Sequence, residues 1–177
     1  PLHGATANGG WELEPEREGG GGKELVLGLP AYGGRIRKRL ALDEEAAVLY
    51  CEHRITGISA RMPGGHHAIV QFPEKPGSGI VDLSEPKAGF TFPGAMEDPA
   101  AGGYSLLAPG VEIRDRTRVP TVRGDTLDLT RYPLAAGYED VVQFLSDATR
   151  EFCFSSVSFP AQGYLFFQLK DPGTLSS

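Results

Sequence analysis

Across residues 35–42 the chain alternates strictly, with Ile36, Leu40 and Leu42 on one side and Arg35, Arg37 and Arg39 on the other. A period of two belongs to an extended strand with one face toward a core and the other toward water. Ala47, Leu49, Cys51, His53 and Ile55 repeat the pattern in a longer strand ending at Gly57. Residues 105–119 repeat it again, with Val111, Ile113, Asp115, Thr117 and Val119 opposite Glu112, Arg114, Arg116 and Arg118. No segment sustains helical spacing, and turn signals separate the apolar runs about every ten residues. The 24 glycines and 14 prolines supply those turns. The expected fold is therefore all-β, an antiparallel sandwich or barrel forming a single domain over residues 1–177.

Shorter runs complete the set. Strands are expected at 25–29, closed by Pro30, and at 79–83, 90–92 and 126–129, with residues 140–146 read as strand. Residues 152–159 and 164–169, rich in aromatic and β-branched side chains around Pro160 and Gly163, read as a hairpin. Residues 1–11 are too rich in glycine for a helix interior and read as a loop anchored by His3 and Trp11.

Seventeen basic against 23 acidic residues give a net charge of -6, which offers no footprint for nucleic acid or an anionic membrane. Three arginines on one face of the 105–119 run suit either a phosphate clamp or an exposed face neutralised by neighbouring acids. Two cysteines, Cys51 and Cys153, are too few for a disulfide scaffold and are expected as buried free thiols. No apolar run approaches a membrane span, and the opening Pro-Leu-His-Gly has no charged and apolar leader. A cytoplasmic protein is expected.

Residues 62–72 carry the chemistry. A Pro63-Gly64-Gly65 turn delivers His66 and His67 to the start of an apolar run. Imidazole exchanges protons near neutral pH, which suits acid or base work. Neighbours on a strand point to opposite faces, so only one of the pair can enter a given cleft. The same divergence argues against a cupin-like metal site built from His66, His67 and Glu74, and no metal or other cofactor is expected.

Four short motifs in order, His3-Gly4 with Asn8 and Trp11, Gly65-His66-His67, Leu127-Asp128-Leu129 and Tyr138-Glu139-Asp140, resemble those of the aldose 1-epimerase, or galactose mutarotase-like, superfamily. The resemblance implies a β-sandwich of the mutarotase-like supersandwich kind and a small-molecule sugar as partner. It further implies that His67 protonates the ring oxygen of a pyranose while a glutamate near the C-terminus takes the C1 hydroxyl proton. His3, Asn8, Trp11, Glu139 and Asp140 would then hold the sugar, Trp11 by stacking on its apolar face.

Two departures qualify what is implied. Ala7 stands where related members carry an arginine, which disfavours a phosphorylated substrate. After Glu151 the only acid is Asp171, so the family's glutamate base has no counterpart, and the chain is expected to be an internal piece of a longer protein with an incomplete sandwich. The alternative is a carbohydrate-binding protein on the same fold, without turnover.

Overall fold

The computed structural model describes residues 4–15, 23–43, 45–59, 65–94, 98, 100, 104–134 and 136–173. Among the described residues it is all-β and antiparallel apart from a five-residue α-helix, α1 (Gly4–Asn8). No helix among the described residues is long and apolar enough to cross a membrane. The sequence reads as one domain; the contacts fall into two compact units, Pro1–Pro63 and Gly64–Ser177.

The first unit is a meander in the order β1 (Glu12–Leu13), β2 (Glu24–Ala31), β3 (Gly34–Asp43) and β4 (Val48–Thr56). The alternation read at 35–42 is realised in β3. Ile36 is buried with Leu29 and Ala31, against which Ala5 and Trp11 pack. The arginines of the other face meet acids: Arg35 and Arg37 both bond Glu14, at 2.8 and 2.6 Å, and Arg39 bonds Glu24 at 2.8 Å. A two-residue turn, Tyr32-Gly33, links β2 to β3 with both φ values positive, at 55° and 78°. Positive φ at both positions matches the right-handed twist of the flanking strands.

Pro30 does not close β2, which runs on to Ala31. The Glu14 N–H donates to the Val26 carbonyl, so even positions of β2 turn toward β1. The β1 ladder reaches only Gly28, so the N–H that Pro30 lacks would have had no partner. Residues 4–8, read as loop, form α1 instead. The Ala5 N–H donates to the Tyr32 hydroxyl at 2.9 Å and the Gly9 N–H returns to the Ala5 carbonyl at 2.7 Å, so the short turn is held at both ends.

In the second unit, β5 (Gly79–Leu83), β9 (Arg131–Tyr132), β11 (Cys153–Phe159) and β12 (Tyr164–Lys170) form a sheet in the order β12-β11-β5-β9. The expected hairpin is β11 and β12, closed by the Gly163 N–H to the Phe159 carbonyl at 2.9 Å. A second pair joins β6 (Ala88–Thr91) to β10 (Val142–Leu145), and a third joins β7 (Val119–Pro120) to β8 (Thr126–Leu127). Leu107, Ile113 and Val119 form the core, with Leu129, Val142 and Phe144 packed around them.

Two expected strands are absent from this unit. Residues 105–119 keep the burial of Ile113 and Val119 but contain turns at Pro109-Gly110 and around Thr117. The Asp115 carboxylate takes both the N–H and the hydroxyl of Thr117, at 2.8 and 2.7 Å, and draws the backbone out of a ladder. Residues 65–73 likewise belong to no strand. That segment is fixed by Phe72, whose ring lies 4.6 Å from Tyr132 and 5.2 Å from Phe159, centroid to centroid.

Candidate functional site

The second unit carries a solvent-open pocket of about 430 Å³. Val81 and Leu83 of β5 and Tyr132 of β9 line it from one sheet, and Val142 and Phe144 of β10 line it from another. Leu106, Leu107, Leu129 and Leu134 extend the apolar wall, and Arg116, Tyr138, Glu139 and Asp140 supply the polar part.

The polar wall is built by zipping two segments together. Gly137 adopts a φ of 83°, a conformation few side chains tolerate, and turns the chain so that Tyr138 to Val141 run beside residues 104–107. The Glu139 N–H donates to the Tyr104 carbonyl at 2.9 Å, and the Ser105 hydroxyl donates to the Glu139 carbonyl at 3.1 Å. The Asp140 carboxylate then accepts the Leu106 N–H at 3.1 Å and the Leu107 N–H at 3.0 Å. Its acceptor capacity is directed at the backbone, and it works as a clamp for the cavity wall.

Tyr138 is fixed from outside. The Arg123 guanidinium donates to its hydroxyl and lies 5.0 Å from the ring centroid, and Tyr104 meets the ring edge-on at 6.3 Å. Arg116 is anchored by its carbonyl, which accepts the Leu129 N–H at 2.8 Å, and its guanidinium pairs with Asp82 at 3.3 Å. Glu139 is exposed, so its carboxylate is open to solvent at the cavity. The arrangement can take a small molecule with an apolar face against leucine and tyrosine and hydroxyls against Glu139 and Arg116.

Glu139 and Asp140 are thus brought to one cavity. His67 is exposed and is not among the residues that line it. His66 has Nδ1 within 3.2 Å of Gln168 Nε2, a contact that holds the ring against β12. Asn8 and Trp11 belong to the first unit. The Asn8 amide donates to the Gly4 carbonyl at 2.9 Å, capping α1 internally, and Trp11 packs on the Leu29 and Ile36 core with its indole N–H on the Thr6 carbonyl at 3.1 Å. His3 lies outside the described residues.

The chain was compared with family models, curated proteins and solved structures. It finds no match in any of them. The cavity is therefore read from its own chemistry.

Sequence reasoning missed Tyr132 and Leu134 as cavity residues and named Tyr138 only as part of its motif, without a role. The signal for Tyr138 was present in Gly137, since a glycine before an aromatic and two acids marks a turn that can present side chains inward. Tyr132 and Leu134 carry no such mark, because a two-residue strand leaves no periodicity to read.

Proposed function

We propose that this chain binds an unphosphorylated aldose in the cavity of the second unit, as a carbohydrate-binding protein of mutarotase-like descent. The carrying observation is a cavity of about 430 Å³ whose lining joins two tyrosines to an exposed carboxylate and a guanidinium. That volume falls within the roughly 300 to 1,000 Å³ typical of small-molecule sites. Tyrosine rings offer a surface for the C–H face of a pyranose, while Glu139 accepts and Arg116 donates hydrogen bonds to its hydroxyls.

The same lining argues for a neutral ligand. Arg116 is already paired with Asp82, and Glu139 and Asp140 add negative charge, so a sugar phosphate would enter against the local field. A β-sandwich is part of this reading: it is supported by side chains from the β12-β11-β5-β9 sheet and from the β10-β6 pair entering one cavity. The unpaired Cys51 and Cys153 support a reducing, cytoplasmic setting.

Anomer interconversion, the reaction the resemblance implies, receives less support than binding. It needs an acid and a base on opposite sides of the ring. The cavity lining holds one exposed carboxylate and no imidazole among the described residues, and Asp140 is committed to the backbone.

Saturation-transfer NMR on the 177-residue chain with glucose, galactose and glucose 6-phosphate tests the proposal. Transfer to the ring protons of an unphosphorylated aldose is expected, reduced by Tyr138→Ala and by Glu139→Ala. No transfer from any common aldose at millimolar concentration would overturn it. Polarimetry on fresh α-glucose should show only the spontaneous rate; acceleration that His67→Asn abolishes would establish the catalytic alternative.

A further inference from the structure

The pocket of the second unit has more apolar surface than a free sugar can use. Val81 and Leu83 stand two apart on β5, and Val142 and Phe144 stand two apart on β10, so each strand turns one side-chain face into it. Phe144 is fixed in place, because its ring lies across Gly89 of β6, where a Cβ would come within 2.6 Å of it. Leu106 and Leu107 are buried and form the floor, whereas Tyr132, Glu139 and Val141 are exposed and form the rim.

Most polar groups of the lining are already committed to the protein itself. The Asp140 carboxylate accepts the Leu106 and Leu107 N–H groups at 3.1 and 3.0 Å. The Tyr138 hydroxyl accepts from Arg123, and two nitrogens of the Arg116 guanidinium share one oxygen of Asp82, at 3.3 and 3.4 Å. What remains is the exposed Glu139 carboxylate and the other donors of Arg116. A hexose carries hydroxyls around nearly its whole edge, and each one pressed against leucine or valine loses its water without gaining a partner. A free aldose is therefore matched by the rim and leaves the floor unfilled.

Resting on the reading of this pocket as a sugar site, we propose that the aldose is taken as a glycoside with an apolar aglycone. The sugar stands at the rim, where Glu139 accepts from its hydroxyls, and the aglycone descends to Leu106 and Leu107 between the faces of β5 and β10. A volume of about 430 Å³ suits a ligand of two parts, since sites for drug-sized molecules span roughly 300 to 1,000 Å³. A glycoside has no free anomeric hydroxyl and calls for no acid and base pair, which agrees with a lining that holds one exposed carboxylate among the described residues.

Titration calorimetry of the 177-residue chain with methyl, butyl and hexyl β-glucosides, repeated with the galactosides, tests the proposal. Affinity is expected to rise about fourfold for each methylene that enters the pocket, the gain that burying one such group brings. Glu139→Ala should weaken every member by a similar factor and keep the gain per methylene. Leu134→Ser, which sets a hydroxyl in the apolar wall, should reduce that gain. The series on the parent chain decides the matter without either variant.

Equal affinities along the series, with the methyl glycoside bound as tightly as the hexyl, overturn the proposal and leave a site for the free sugar. Hexanol bound as tightly as the hexyl glycosides would overturn the sugar reading together with the proposal. So would a series in which neither the glycosides nor the free aldoses bind at millimolar concentration.

Discussion

The Asp140 carboxylate accepts the Leu107 N–H at 3.0 Å and so ties the segment carrying Tyr138 and Glu139 to the adjacent segment of the cavity lining. Removing it leaves the N–H groups of Leu106 and Leu107 without their acceptor, in residues that are both buried. Asp140→Ala should cost about 1 to 3 kcal/mol of stability, measured by urea denaturation. Asp140→Asn should cost less, because its side-chain oxygen still accepts. An alanine variant as stable as the parent would remove the clamp from the account.

Phe72 occupies the space over Gly79 where any other residue would place its Cβ, which would lie 2.5 Å from the ring. Gly79→Ala must push the ring away from Tyr132 and Phe159, and overpacking of this kind costs about 1 to 3 kcal/mol. Because Tyr132 lines the cavity, sugar binding should weaken with it. Denaturation and the saturation-transfer signal, read on the same variant, check both effects.

Glu14 is held below the usual carboxylate range, first by its hydrogen bond from Arg35 and then by Arg37, against an opposing effect of burial. A carboxylate depressed in the folded state stabilises fully above its unfolded value, about 4.3 for glutamate, and the contribution fades as pH falls through the lower folded value. Glu14→Gln should therefore flatten the loss of stability below about pH 4.3 while lowering stability at neutral pH. Urea midpoints across that range give the comparison; parallel curves for the two proteins would contradict it.

The pattern of strands was legible where alternation was long enough to count. Arg35 to Arg39 against Ile36 and Leu40 announced β3, and the aromatic runs announced β11 and β12. Residues 105–119 misled because burial still alternates at Ile113 and Val119 while Asp115 takes the backbone into a turn. A carboxylate two residues before a threonine competes with a ladder, and periodicity does not register that competition.

The site was legible only in part, for a related reason. Glu139 and Asp140 stood out as acids after a glycine, and both reach the cavity, yet their difference in role depends on backbone donors at Leu106 and Leu107, which lie 34 and 33 residues from Asp140. The histidines stood out by type, and type alone does not say that His66 meets Gln168 across 102 residues. Trp11, expected to stack on a sugar, packs on Leu29 and Ile36 instead.

His67→Asn should leave sugar affinity unchanged, because His67 does not line the cavity. Titration calorimetry with the aldose that gives the strongest saturation transfer checks this. A loss comparable to that of Glu139→Ala would bring His67 into the site and revive its role as proton donor.

The most direct test of the sugar-binding account is an amide ¹H–¹⁵N correlation spectrum of the 177-residue chain recorded as that aldose is added. The account predicts saturable shifts at Leu106, Leu107, Arg116, Tyr132 and Tyr138 to Val142, the residues around the cavity, with Glu139→Ala abolishing them. Shifts that leave these residues untouched, or a spectrum unchanged at millimolar sugar, would contradict it.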